Sequence, residues 1–359
     1  MHIAIVGGGH GCYAAAADLA EQGNKVSLWR RDASALNAVA QSGLIALTDY
    51  NGTRDVKIFR ATSEIGAAVR DADLIVVATP AYSQVDIATA MAPHLSDGQV
   101  VFLPPGTFGS YVMAQEVRRR GNKARVAYAE TGTLPYLARK RGESGVSITT
   151  RATRLPTGVF PAAETANALS VIARAYPVVE PVEDALSAAL MNAGPIIHPP
   201  LILMNAGPLE GFPKWDIHNE GTQPLVRRVM DALDGERIAL REALGYGAPH
   251  FPIADHYTSD RWMYGNAHDK LVDSGDWREH IDLLTHRYMR EDVAYGLAFL
   301  VSVASWAEVD APVAKSLLSI ASAVCHENLA MGPRTFGALG LNRLDHAAMR
   351  DLLMEGAAP

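Results

Sequence analysis

The sequence predicts a two-domain α/β protein in which a doubly wound parallel sheet precedes an all-α domain. Its 359 residues exceed the about 250–300 residues that a single hydrophobic core usually supports. In the first half, short β-branched runs alternate with helical segments, which is typical of parallel strands joined by crossover helices. After about residue 180, apolar residues recur at helical spacing instead. We therefore expect one domain over residues 1–180 and a second over 181–359.

Five strands are predicted in the first domain, and turn or small residues follow each of them. The predicted strands are His2–Val6, Lys25–Trp29, Leu74–Ala78, Val100–Leu103 and Arg125–Ala129. Ligands of open α/β sheets bind outside the carboxyl ends of the strands, so the loops after these strands should line one crevice. The predicted helices of the second domain are Glu183–Asn205, Leu225–Leu244, Arg287–Glu308 and Pro312–Leu329.

Composition narrows the class of protein. The net charge of −7 argues against a nucleic-acid partner. Cys12 and Cys325 are the two cysteines, without metal-ligand spacing, which argues against a disulfide framework or a metal site and for a reducing, cytoplasmic compartment. The N-terminus is predicted to be a strand rather than a signal peptide. The apolar run Tyr295–Trp306 is shorter than the ~20 residues that span a bilayer, so no membrane partner is expected.

A glycine-rich loop joins the first strand to an alanine-rich helix predicted over Tyr13–Glu21. The loop residues are Gly7, Gly8, Gly9, His10, Gly11 and Cys12. Gly7 permits the tight turn, Gly9 allows a pyrophosphate to approach the backbone, and Cys12 is small enough for the third position of the fingerprint. The strand before the loop and the helix after it favour a Rossmann dinucleotide site over a turn without a ligand.

The end of the second strand indicates which dinucleotide binds. Arg30 occupies the position where an acidic residue would bind the ribose of NAD, and Arg31 follows it. Guanidinium groups suit a 2′-phosphate, so NADP(H) is favoured. NAD(H) stays possible if both arginines are solvated and Asp32 reaches the ribose.

Residues after three later strands are candidates for the nicotinamide half of the site. They are Thr79 and Pro80, Thr107 in the segment Pro105-Gly106-Thr107, and Glu130 with Thr131. A plain turn is the alternative interpretation of Pro104-Pro105-Gly106.

Two segments of the helical half contain residues of types that act in catalysis and substrate binding. The first is Asn-x5-His-Pro-x5-Asn, formed by Asn192, His198 and Asn205; the second places Arg287 and Asp292 five residues apart, within about one and a half helical turns. With Asp234-Gly-Glu-Arg-Ile-Ala between them and the Rossmann N-terminus before them, this order resembles the opine dehydrogenase family. That family includes the octopine, nopaline and N-(1-carboxyethyl)-norvaline dehydrogenases, and the resemblance covers both domains.

The resemblance implies a reaction and its residues. An amino acid and a 2-oxo acid would form an imine that NAD(P)H reduces. His198 and Asp292 would be the acid–base pair, Arg287 would bind a substrate carboxylate, and Asn192 and Asn205 would flank the histidine. The chemistry agrees, because an imidazole with a pKa of about 6.5 moves protons near neutral pH and a carboxylate fixes its tautomer.

Two other functions stay open. A reductase of 2-oxo or hydroxy acids, similar to ketopantoate or glycerol-phosphate dehydrogenases, would share both halves, but many of these use a lysine, and lysines are sparse after Lys140. A redox-sensing module would bind NADP(H) without turnover.

The segments Pro208–Trp215 and His256–Trp277 are expected to select the amine, with room for an aromatic or apolar side chain. The apolar helices would suit a homodimer interface.

Overall fold

The computed structural model describes residues 1–266, 268–275, 278 and 280–356, so Trp277 of the expected amine-selecting segment lies outside the described residues. The chain divides into two compact units. In the residues described, one contains Met1–Ala189 and residues 353–356, and the other contains Leu190–Leu352.

The strands of the described residues all lie in the first unit. They are β1 (His2–Val6), β2 (Lys25–Trp29), β3 (Leu44–Asp49), β4 (Gly52–Lys57), β5 (Arg60–Thr62), β6 (Leu74–Val76), β7 (Val100–Leu103), β8 (Ala127–Thr131), β9 (Tyr136–Arg141), β10 (Gly145–Arg151), β11 (Leu155–Phe160) and β12 (Val179–Pro181).

The main sheet has eight strands in the order β12-β11-β8-β7-β6-β1-β2-β5. Its pairs are parallel apart from β8 with β11, which are antiparallel. The chain leaves β1 in both directions, to β2 on one side and to β6 on the other, so the doubly wound prediction is confirmed. The predicted bounds of β1, β2 and β7 match, whereas β6 ends earlier and β8 begins later than predicted.

The helices of the first unit connect these strands. They are α1 (His10–Glu21), α2 (Asn37–Ser42), α3 (Ile65–Val69), α4 (Gln84–Met91), α5 (Gly109–Arg119), α6 (Thr165–Ile172) and α7 (Ala185–Ala189). Short 3₁₀ turns lie at Ser34–Leu36, Ala81–Ser83, Ala92–His94 and Ala162–Glu164.

A second sheet in this unit, ordered β4-β3-β10-β9, was not predicted. Its strands carry a weak hydrophobic pattern, because β4 buries only Val56. Charged side chains hold it against α1. The guanidinium of Arg151 donates to Asp18 of α1 at 2.8 Å and to Asp49 of β3 at 2.8 Å. Such long-range ion pairs leave no periodic signal in a sequence.

The second unit is helical in the residues described, as predicted. Its helices are α8 (Gly194–Met204), α9 (Ala206–Gly211), α10 (Pro224–Ala243), α11 (Ile253–Thr258), α12 (His268–Ser274), a π-helix (Tyr288–Leu297), α13 (Ala298–Trp306), α14 (Pro312–Cys325) and α15 (His346–Glu355), with a 3₁₀ turn at Leu329–Met331. The last of these, α15, runs across the unit boundary into the chain end.

Two predicted helices are each divided in the structure. The helix predicted over Glu183–Asn205 consists of α7 and α8, and the one over Arg287–Glu308 consists of the π-helix and α13. The segment Ala185–Met204 has the length and mean hydropathy, 1.3, of a membrane span, but 78% of it is buried inside the protein. We interpret it as part of the hydrophobic core.

Candidate active site

The glycine loop begins with a residue that only glycine can occupy. Gly7 has a φ of +127°, and its amide donates to the carbonyl of Trp29 at 2.9 Å. A Cβ there would lie 2.5 Å from Cγ2 of Thr79 and 2.7 Å from Sγ of Cys12. The tight turn between β1 and α1 therefore depends on Gly7.

Gly9 serves a different purpose. It is the residue before the first turn of α1, and a Cβ there would meet no atom within 4 Å. The unpaired amides of that turn and the positive end of the helix dipole face this space. A dinucleotide pyrophosphate fits such a site, because the phosphate oxygens accept from backbone amides.

Gly7→Ala and Gly9→Ala should therefore fail in different ways. Gly7→Ala combines a strained φ with two close contacts, so it should lower the unfolding temperature by several degrees, as ~1–3 kcal/mol of strain does. Gly9→Ala should fold normally and bind NADPH more weakly, since its methyl group occupies the phosphate approach. Thermal unfolding and fluorescence titration with NADPH measure the two effects. A lowered unfolding temperature with unchanged NADPH affinity in Gly9→Ala would contradict the assignment.

The next loop residues have structural contacts. The backbone N–H of Lys140 donates to Nδ1 of His10 at 2.8 Å, which ties β9 to the start of α1. A Cβ at Gly11 would lie 2.8 Å from Cδ2 of Leu134. Cys12 is fully buried and its Sγ donates to the carbonyl of Ala78 at 3.2 Å. Burial raises the pKa of this thiol to about 12, so it stays protonated.

Arg30 lies across the glycine loop. A Cβ on Gly8 would lie 2.5 Å from Cδ of Arg30, and Nη1 of Arg30 donates to the carbonyl of Ala35 at 3.3 Å. Arg31 instead points outward, with 82% of its side chain exposed and Asp86 at 3.9 Å. The two arginines, which have the same chemistry in the sequence, therefore point in different directions in the structure.

Asp32 is engaged in the turn after β2. Its Oδ1 accepts from the backbone N–H of Ser34 at 3.0 Å, from the Ser34 hydroxyl at 2.6 Å and from the backbone N–H of Ala35 at 3.2 Å. The hydroxyl of Ser34 is the main reason that the pKa of Asp32 is lowered. These contacts favour a capping role over contact with a ribose.

Lys140 is a cation near this loop that sequence reasoning missed. Its Nζ lies 4.1 Å from the ring centre of Tyr13 in α1. Burial lowers the pKa of Lys140, and the charge of Arg30 lowers it further. Two cations therefore lie close together beside the loop. No motif marks Lys140, because it reaches the loop through the pairing of β9 with β10.

Two buried hydroxyls lie at the carboxyl ends of strands: Thr79 follows β6, and Thr131 is the last residue of β8. Oγ1 of Thr79 and Oγ1 of Thr131 are buried and have no hydrogen-bond partner among the described residues. Pro80 precedes the 3₁₀ turn Ala81–Ser83, and Thr107, buried with a φ of 55°, leads into α5. The threonine hydroxyls are consistent with polar contacts to a ligand at the carboxyl ends of the strands.

Glu130 has a structural role. Its carboxylate is fully buried and accepts from the backbone N–H of Phe108 at 2.7 Å and of Ser110 at 2.8 Å, and from the Ser110 hydroxyl at 2.6 Å. It therefore satisfies the first amides of α5 and stabilises that helix end.

The second unit contains the predicted histidine–aspartate pair. Nδ1 of His198 on α8 lies 2.7 Å from Oδ2 of Asp292 on the π-helix, and 13% and 6% of the two side chains are exposed. The ring of Tyr288 stacks on that of His198 at 3.7 Å and 13°. Asp292 orients the imidazole through Nδ1, which makes Nε2 the nitrogen suited to proton transfer.

Burial dominates the titration of this pair. Desolvation lowers the pKa of His198 well below its usual value, and the charge of Arg287 lowers it further. Desolvation also raises the pKa of Asp292 to about 6, against the charges of Arg287 and His286. At neutral pH the imidazole is therefore neutral, donates through Nδ1 to the carboxylate and keeps a lone pair on Nε2.

The pair depends on Gly194, which sequence reasoning did not single out. A Cβ on Gly194 would overlap Oδ1 of Asp292, and one on Gly296 would overlap Pro195. Two glycines thus let α8 and the π-helix approach closely enough for the 2.7 Å contact. Gly194 stands two residues after Asn192 in the motif that the sequence presents.

Of the other predicted residues, Arg287 is close enough for its charge to affect the pKa values of the pair, and the two asparagines have structural contacts. Nε of Arg287 lies 3.9 Å from Glu291, and 47% of the arginine side chain is exposed. Oδ1 of Asn192 accepts from the backbone N–H of Gly194 at 3.0 Å, at the start of α8. Asn205 donates to the carbonyls of Leu201 and Gly221 and accepts from Nε1 of Trp215. These contacts show that Asn205 fixes the segment after α9.

Asp234 and Arg237 of the predicted motif form a buried ion pair. Nε of Arg237 lies 2.6 Å from Oδ1 of Asp234. The guanidinium also donates to the carbonyls of Leu190 and His250, and the other oxygen of Asp234 accepts from the backbone N–H of Ile253. The motif therefore joins three segments of the second unit.

Comparison with known proteins shows what the two halves of the chain are similar to. Residues 181–325 match the family model for the alpha-helical domain of NAD/NADP octopine/nopaline dehydrogenase, and residues 3–131 match that for ketopantoate reductase PanE/ApbA. An opine dehydrogenase of Arthrobacter sp. (strain 1C) is 28% identical over 354 residues, which are 97% of this chain and 97% of the relative. The chain is similar to opine dehydrogenases over nearly its whole length.

Solved structures of opine dehydrogenases share the fold of this chain. Octopine dehydrogenase in complex with NADH and agmatine has a TM-score of 0.74 at 17% identity, covering 99% of this chain and 98% of that one. NADP⁺-bound yersinopine dehydrogenase has a TM-score of 0.65 at 16% identity, covering 99% and 98%. At these identities the likeness shows the shared fold. The resemblance to opine dehydrogenases is confirmed.

Proposed function

We propose that this protein is an opine dehydrogenase, which condenses an amino acid with a 2-oxo acid and reduces the resulting imine with NAD(P)H. The observation that carries the proposal is the buried 2.7 Å contact between His198 and Asp292, within the part of the chain that matches the family's helical domain. We also propose that residues 1–180 bind the nucleotide and that the remainder carries the substrate site.

The residues of the pair suit the proton transfers of this reaction. Forming an imine expels the carbonyl oxygen as water, and reducing it leaves a protonated secondary amine. Because Nε2 of His198 is unprotonated at neutral pH, it would accept a proton from the attacking amine and return it to the departing hydroxyl, while Asp292 keeps its ring oriented. Arg287 would bind a substrate carboxylate through its planar guanidinium. Bound NAD(P)H supplies the hydride.

The decisive experiment is a matrix of amino acids against 2-oxo acids, followed at 340 nm with NADPH and with NADH. Oxidation that requires both an amine and a 2-oxo acid supports the proposal. Oxidation with the 2-oxo acid alone favours a ketopantoate-reductase-like activity, to which the match of residues 3–131 points. Nucleotide binding without any turnover favours a sensing role.

NADP(H) is the favoured cofactor, with NAD(H) possible. Arg30 lies against Gly8, while Asp32 is engaged with Ser34. Solved relatives are recorded with NADH and with NADP⁺. Lys140, close to Arg30, would contribute a second positive charge to a 2′-phosphate site.

Arg30→Asp should shift the preference from NADPH toward NADH. The aspartate removes the proposed phosphate contact and adds a carboxylate that repels the phosphate and suits a ribose hydroxyl. The ratio of kcat/KM for the two cofactors measures the shift. Arg31→Asp is the comparator and should shift the ratio less, because Arg31 points outward. An equal shift in both variants would contradict the proposed role of Arg30.

The amino acid and the 2-oxo acid are the proposed partners. A cytoplasmic location and a homodimer stay predictions from the sequence. Sedimentation of the purified protein would determine the oligomeric state.

A further inference from the structure

Arg227 is a half-buried cation for which the structure provides no carboxylate partner among the described residues. It lies on α10, with its guanidinium carbon 4.3 Å from the ring centre of Tyr257 and Nη2 3.5 Å from Nε2 of His268. Its Nε is buried without a hydrogen-bond partner. Asp231, one turn further along α10, is exposed and lies beyond ion-pair distance of Arg227; partial burial raises the pKa of Asp231, and the charge of Arg227 opposes that shift.

His256 lies beside this cation and also lacks a partner. It is 7% exposed, and its Nδ1 has no hydrogen-bond partner among the described residues. Its ring packs at 4.8 Å from Tyr257, 4.6 Å from Trp262 and 5.3 Å from His268. Burial lowers the pKa of His256 to about 3, with smaller contributions from the charges of His268, His218 and Arg227. The imidazole is therefore neutral and offers one N–H donor.

Aromatic and imidazole rings connect this group to the catalytic pair. Tyr288 stacks on His198, and its hydroxyl lies 3.0 Å from Nε2 of His218. The rings of His198 and His218 are 6.0 Å apart, and His218 is close enough to His256 for its charge to affect that pKa. All of these residues belong to the second unit.

The chemistry of the proposed reaction requires a second carboxylate site. A 2-oxo acid and an amino acid each bring one carboxylate, and Arg287 can bind only one of them. Leaving buried donors unpaired is costly, and a carboxylate would satisfy both the guanidinium and an imidazole N–H.

We propose that Arg227 and His256 form the subsite that binds a carboxylate of the amine substrate. The inference rests on the proposed function and names two residues that would determine its specificity. The carboxylate is either the α-carboxylate or an acidic side chain of the amino acid.

The test compares Arg227→Met with the matched control Arg228→Met, the exposed neighbour on α10. Steady-state kinetics use glutamate, its isosteric amide glutamine, norvaline, and butylamine, which is norvaline without its carboxylate. Arg227→Met should raise the amino-acid KM by about 10- to 100-fold, the loss expected for a hydrogen bond to a charged group. The 2-oxo acid KM, the Kd of NADPH and the butylamine kinetics should not change. Arg227→Lys should restore part of the affinity.

The panel of amines identifies the carboxylate. If Arg227→Met raises the KM of glutamate, glutamine and norvaline alike, the subsite binds the α-carboxylate. If it raises only the KM of glutamate, the subsite binds the side-chain carboxylate. Unchanged KM values for all three amino acids, or an equal increase in the KM of butylamine, would overturn the proposal.

A binding measurement separates this inference from the proposed function. Calorimetric titration of glutamate and norvaline into the NADPH-loaded protein requires no turnover. Binding to the wild type that Arg227→Met weakens supports the subsite even if no substrate pair is reduced. Equal binding to wild type and variant overturns the subsite even if opine formation is observed.

Discussion

Replacing His198 with alanine should reduce turnover by about 10²- to 10⁴-fold, the range that a positioned general acid–base group supplies. The imidazole is the proposed proton carrier, and alanine has no group that replaces Nε2. The affinity for NADPH should be unchanged, because the glycine loop lies in the first unit. Turnover at saturating substrates and NADPH titration measure the two quantities.

His198→Asn is the matched variant, since asparagine can still donate to Asp292 without carrying the proton. It should be as inactive as His198→Ala while unfolding at a temperature closer to the wild type. A further check is the pH profile of kcat/KM for the wild-type protein, measured in the direction of opine oxidation. Because burial raises the pKa of Asp292 to about 6, kcat/KM should fall as the pH drops through that value and the pair gains a second proton. Wild-type turnover in either His198 variant would remove this residue from the mechanism.

Gly194→Ala should reduce kcat by about 10²-fold, because small displacements of reacting groups cost that much. The added methyl group would overlap Oδ1 of Asp292, so the carboxylate must move away from Nδ1 of His198. The substitution changes no ionisable group. Its effect on activity would therefore show that the position of the pair, and not only its chemistry, determines the rate. Turnover and NADPH affinity are the measurements, and the affinity should be unchanged.

Gly207→Ala is the matched control for this prediction. Gly207 lies in α9, and a Cβ there meets no atom within 4 Å. This variant should retain wild-type turnover. Equal activity of Gly194→Ala and Gly207→Ala would mean that the 2.7 Å contact between His198 and Asp292 tolerates displacement.

The features that could be predicted from sequence are those with local signatures. The glycine loop and β1 are contiguous in the chain, so their spacing alone indicates the nucleotide site. The role of Asp292 is harder, because the residue lies 94 positions from His198 in the chain. Only the resemblance to a family suggested that the two side chains meet, and the structure brings them into hydrogen-bond contact.

The features that escaped prediction depend on contacts between distant segments. Gly194 matters because Asp292 approaches it from another helix, and Lys140 because a hairpin returns to α1. Arg227 resembles any other helix-surface arginine until Tyr257 and His268 surround it. Arg30 and Arg31 have the same chemistry, and only the direction of each side chain distinguishes them.

The π-helix over Tyr288–Leu297 has a consequence for how relatives of this protein can diverge. A wide turn accommodates an extra residue relative to an α-helix. Losing one residue near Asp292 would let the segment revert to ordinary winding and rotate the next helix, α13, by about 100° about its axis. Single-residue insertions or deletions here would thus redirect side chains that ordinary substitutions leave in place, so alignments of this segment should be checked for gaps before an acidic residue is equated with Asp292.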